Sequence, residues 1–188
     1  MIRLIGTLAT VVRALSCCLV LWSGAVAVQA QDDRAPDPHI RSAHANLLDV
    51  ITTGLRRSTT MRDLVERIEA SDLVVYMEWR VSPDSHVAAH TAFVSAAGGR
   101  RYLSVVVDPR LAPCQLLPLI AHELQHVAEI AGEGSVVSEQ SLAAFYRRVG
   151  FSTGGWERER YESRAAIEAG ERVTREMRET GSAASRAR

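Results

Sequence analysis

Two histidines four residues apart, His122 and His126, sit inside the otherwise mostly apolar run Leu119-Ile120-Ala121-His122-Glu123-Leu124-Gln125-His126-Val127-Ala128-Glu129-Ile130-Ala131. On an α-helix each residue turns about 100° round the axis, so these imidazoles lie one turn apart on one face and can reach a single metal ion. Glu123 is turned about 100° from His122, beside such an ion rather than on it. A carboxylate in that place is suited to take a proton from water that the ion activates. The string H-E-x-x-H therefore points to zinc-assisted hydrolysis, with His122 and His126 as ligands and Glu123 as the general base.

The context supports a helix. Leu117, Ile120, Leu124, Val127 and Ala131 recur at spacings of three and four, a stripe that faces a core. Measured from Leu124, the histidines fall about 160° to either side, so one face packs while the other presents imidazoles. Catalytic zinc takes three protein ligands and leaves a position open for water. No histidine follows His126, so the third ligand is expected to be acidic. Glu129 shares the helix, where three side chains of one straight helix give poor tetrahedral geometry. Glu139 opens the next helical segment. Glu162 is favoured, because Ala165, Ala166, Ala169 and Gly170 follow it at helical spacing and small residues let two helices approach closely.

His122-Glu123-Leu124-Gln125-His126, followed by Tyr161-Glu162-Ser163-Arg164-Ala165-Ala166, resembles the gluzincin branch of zinc metallopeptidases, most closely its small, minimal members. The resemblance covers roughly residues 60 to 177 and implies that Glu162, on a helix after the motif helix, completes the zinc site. It also implies a zincin-like α+β fold: a small three-stranded sheet with a backing helix, the metal-binding helix, and a C-terminal helix bearing the glutamate. In such folds an edge strand lies antiparallel to a bound peptide, and Arg101 to Val107 would be that strand. Larger members often carry an Asp four residues after the ligand glutamate to orient a histidine, where this chain has Ala166.

The elements that must position these residues can be read in order. A first helix is expected from about Ile40 to Leu55, and a second from a cap at Thr59 or Thr60 to Ala70. Strand-like segments follow at Leu73–Trp79, His90–Ala96 and Arg101–Val107, with Ala97-Gly98-Gly99-Arg100 as a hairpin turn. The metal helix starts between Ala112 and Pro118 and stops at Glu133-Gly134. Ser138 caps a shorter helix closed by Gly150, and a long charged helix is expected from Trp156 to about Met177. Met77, Trp79, Phe93 and Tyr102 read as sheet packing, and His86 and His90 as ordinary histidines.

Residues 1–30 read as a secretory signal peptide: Arg3 and Arg13, then the apolar run Ala14 to Val28, then small residues at Ala25, Ala27 and Ala30. Cleavage is expected after Ala30, or otherwise after Ala27. Residues 31–180 form one catalytic domain, and 181–188 a disordered tail. The expected location is secreted or periplasmic, with no stable membrane insertion after cleavage. Cys114 is the only cysteine beyond the signal, so that domain has no internal disulfide. It precedes His122 by eight residues and reads as a small core residue rather than a cap on the metal. The formal net charge is zero, and all 22 basic residues are Arg, with no basic stripe, which argues against a nucleic-acid partner. A peptide or protein substrate is expected. The alternative reading is a zinc-binding zincin-like module without turnover, serving as a binding or regulatory protein in the cell envelope.

Overall fold

The computed structural model describes residues 38–82, 87–153 and 160–186. The expected signal peptide at residues 1–30, His86 and Trp156 lie outside the described residues. In chain order the described elements are β1 (Ile40–Arg41), α1 (Ala45–Arg57), α2 (Thr59–Glu69), β2 (Leu73–Trp79), β3 (Ala89–Ala97), β4 (Arg100–Val107), α3 (Pro113–Ala131), α4 (Glu139–Val149), β5 (Phe151–Ser152), β6 (Tyr161–Glu162) and α5 (Arg164–Arg186). This is an α+β fold, and none of its described helices is long and apolar enough to cross a membrane.

The main sheet has the order β1-β2-β4-β3, one strand more than the three expected. β1 is parallel to β2, and β2 is parallel to β4. The antiparallel β3 closes one edge. The added strand is two residues long, too short to show a period, and the sequence reading absorbed Ile40 into a helix. That helix starts at Ala45 instead, after Ser42 donates its hydroxyl to the Met77 carbonyl at 2.7 Å. Ser58, not a threonine, caps α2. Its hydroxyl, together with the Thr60 main chain and hydroxyl, also bonds the Glu176 carboxylate on α5.

β4 is central, which corrects the expectation that Arg101–Val107 is the edge strand. Both of its edges are paired, so no peptide can add there. Alternate residues of β2 and β4 (Leu73, Val75, Met77; Leu103, Val105, Val107) are fully buried in one core cluster with Leu47, Met61, Ile68, Ile120 and Leu124 from the helices. The β3–β4 hairpin turns at Gly98 and Gly99, with φ of 58° and 73°, as the Gly-Gly pair predicts.

One buried cation, Arg101, ties the sheet to the end of α3. Arg101 donates to both Asp72 carboxylate oxygens at 2.7 and 2.8 Å. Its Nη1 reaches the carbonyl of Ile130, in the last turn of α3, at 3.0 Å and that of Glu133, just beyond the helix, at 2.7 Å. The Arg101 guanidinium beside Asp72 holds that carboxyl below its usual range. Replacing Arg101 by Leu removes these bonds together, although Asp72 can still be solvated and both carbonyls keep main-chain partners. The expected cost is about 2 kcal/mol, read as a lower denaturant midpoint at unchanged m-value.

Candidate metal centre

α3 is wrapped almost all round. Leu117, Ile120, Leu124 and Val127 are buried as the stripe predicts, but so are Glu123, Gln125 and His126. The second cover is α5. Ala166 and Ala169 on it are fully buried, and a Cβ added to Gly170 would lie 3.1 Å from the Pro118 carbonyl oxygen and 3.7 Å from His122 Cβ. The close helix approach expected from small residues is made by these three positions, while Ala165 faces solvent.

Glu162 does not lie on that helix. It is the second residue of β6, paired with Phe151 of β5, and the next residue, Ser163, caps α5 by accepting from the Ala166 N–H at 3.0 Å. The cap ends the helical reading at Ser163, so the run expected from Trp156 starts at Arg164 and continues past Gly181 to Arg186. From this short strand the Glu162 carboxylate spans both histidines. Oε2 is 3.1 Å from His122 Nε2, and Oε1 is 3.2 Å from His126 Nε2. One donor atom from each of the three residues lies within 4.8 Å of the others, a group that can hold a metal ion. Two imidazole nitrogens and a carboxylate oxygen within that span are a donor set suited to a small divalent ion.

Glu162 is held there by its neighbours. A Cβ on Gly150 would lie 2.5 Å from the Glu162 carbonyl oxygen and 3.1 Å from that of Tyr146, so only glycine lets β6 pass the end of α4. The Tyr161 ring stacks on Tyr146 at 6.4 Å between centroids. The Ser163 N–H donates to Glu162 Oε1 at 2.8 Å.

Behind His126 stands a network that the sequence reading missed. Nδ1 is 3.0 Å from Tyr146 Oη and 3.3 Å from Glu129 Oε2. The Tyr146 hydroxyl in turn reaches Glu129 Oε2 at 3.2 Å. Ser163 donates to Glu129 Oε1 at 2.6 Å. With a carboxylate and a phenol at Nδ1, the proton of neutral His126 stays on that nitrogen and Nε2 keeps its lone pair for the ion. Glu129 thus faces the back of His126 and stands outside the three-residue group. Tyr146 is the part no motif marks, although Ser138 caps its helix as the sequence predicts.

The electrostatics follow from this crowding. Burial opposes charge on His126, but the Glu129 and Glu162 carboxylates outweigh it and raise the imidazole to about 9. Burial likewise works against an ionised Glu162, and the two histidines overcome it, holding the carboxyl at about 2. Burial, then the Glu129 charge, pushes the Tyr146 hydroxyl far up, so it stays a proton donor.

Glu123 is 4% exposed and is not in the donor group. Its Oε2 accepts from the Thr91 hydroxyl on β3 at 2.7 Å. Glu139 sits at the start of α4, outside the group. Cys114 is exposed, not a core residue. Eight residues of helix put it about 12 Å along the axis from His122, too far to cap the ion. A groove of about 900 Å³ opens beside His122 between the first half of α3 and α5, lined by Leu119, Pro118, Ile167 and Met177 among others.

No protein-family model, no curated protein and no solved structure matches this chain. The chemistry therefore rests on the site itself.

Two outcomes are expected. Gly150→Ala should displace Glu162 and weaken metal binding by at least about tenfold in a chelator competition, with the far-ultraviolet circular dichroism unchanged; unaltered affinity would show that β6 does not place the ligand. Metal entry must also displace the His126 proton. Apparent affinity should then rise about tenfold per pH unit below about pH 9 and level off above it, as followed by titration at fixed ionic strength.

Proposed function

We propose that this chain is an exported zinc-dependent peptidase of the zincin type, similar in plan to the minimal gluzincins. His122, His126 and Glu162 would hold Zn2+, and Glu123 would be the general base. The observation that carries this reading is the Glu162 carboxylate facing both Nε2 atoms from a separate element. Two imidazoles and one carboxylate make a three-ligand set, which suits catalytic zinc; structural zinc is usually closed by four ligands. Bound there, zinc would polarise the scissile carbonyl and bring water close to ionisation at neutral pH. Glu123 would take the proton from that water and pass it to the leaving amine. Its burial beside two histidines and its absence from the ligand group favour this role.

The substrate would dock as an extended chain on β3 rather than on β4. The Asp108 N–H donates to the Ala88 carbonyl at 2.8 Å, which fixes the ladder's alternation. Ala89 and Thr91 then turn their main-chain N–H and C=O groups away from β4, towards an edge that no described strand pairs. Such an edge accepts a peptide by strand addition. Its Thr91 side chain already touches Glu123, so a docked chain would run past the metal group.

Unfolded casein is the substrate for the test. The zinc-loaded protein should cleave it, and Glu123→Gln should lose about 10²–10⁴ in rate while retaining zinc. A wild-type protein that holds zinc and cleaves nothing would instead be the binding module without turnover. A Glu123→Gln protein as active as the wild type would remove Glu123 from the chemistry.

A further inference from the structure

Thr91 occupies a position with two consequences. Its main-chain polar groups face the open edge of β3 in the plane of the sheet, while its side chain stands off the sheet face and donates a 2.7 Å hydrogen bond to Glu123 Oε2. Strand propensity alone would be met by valine, which has the same shape but no hydroxyl. A buried carboxylate without a donor is costly, and Thr91 is the one described hydrogen-bond partner of Glu123. The hydroxyl engages only one of the two oxygens. Among the described residues Oε1 has no protein hydrogen bond, so it is the atom left to meet water.

We propose that Thr91 is a positioning residue: its hydroxyl fixes one oxygen of Glu123 so that the other is aimed at the reacting water, and it does so from the strand on which an extended peptide would pair. This rests on the peptidase reading. A peptide hydrogen-bonded to the Thr91 main chain restrains the residue that holds the base. Docking and base alignment are thereby linked through one residue. The proton path is unchanged: Oε1 accepts it from water and returns it to the amine, while the Thr91 proton remains on its hydroxyl.

The test compares Thr91→Val, Thr91→Ala and Thr91→Ser, each zinc-loaded, on casein and with acetohydroxamate as a probe. Hydroxamate binding calls on the same carboxylate as proton acceptor, and it is read by calorimetry without turnover. Loss of one hydrogen bond to a charged group should lower kcat about tenfold in the Val and Ala variants, with KM within about twofold. Acetohydroxamate affinity should fall by about the same factor, as it should in Glu123→Gln. Zinc affinity by chelator competition should stay at the wild-type value, and Thr91→Ser should recover most of both losses. Val and Ala variants with wild-type kcat and hydroxamate affinity would overturn the proposal and leave the peptidase reading standing. So would loss of zinc in all three variants, which would make Thr91 a support of the fold. A wild-type protein that never cleaves casein, with Glu123→Gln binding hydroxamate normally, would sink both.

Discussion

A single carboxylate shared between two imidazoles is the constraint on which the rest of the site depends. Glu162 must be brought to His122 and His126 from a different part of the chain and held there against burial, which alone would favour its neutral form. The surrounding features serve that end. Gly150 lets β6 pass the end of α4, Ser163 starts α5 one residue after the ligand, and Gly170 lets α5 close on Pro118. Arg101 fixes the far end of α3 to the sheet, so the helix carrying both histidines is anchored beyond its own hydrogen bonds.

Three carboxylates crowd two histidines, and position separates their roles. Glu162 faces both Nε2 atoms, Glu129 faces Nδ1 of His126 from behind, and Glu123 is turned aside to Thr91. Glu162 and Glu129 both stay ionised against burial because imidazoles face them, both histidines for Glu162 and His126 for Glu129.

Much of this was legible in the residues, because H-E-x-x-H and the stripe through Leu124 depend only on helix geometry. Glu162 was singled out too, but on the premise of a small-residue helix on which it does not lie. A two-residue strand has no periodicity to detect, and the stop signal was Ser163, which looks like any serine until its hydroxyl is seen on the Ala166 N–H. The strand order was misread despite a usable cue: Val105-Val106-Val107 is a continuous apolar run, which marks a strand covered on both faces, whereas β3 is mostly exposed or half-buried. Tyr146 and Thr91 could not have been found from sequence. Their roles arise from contacts 20 and 32 residues away that no local pattern encodes.

The most direct measurement of the central claim is metal content. Purified protein, dialysed against metal-free buffer after loading with zinc, should retain about one zinc per chain by mass spectrometry, and Glu162→Ala should retain almost none while still folded. A Glu162→Ala protein that keeps its zinc, or a wild-type protein that never holds any, would contradict the account.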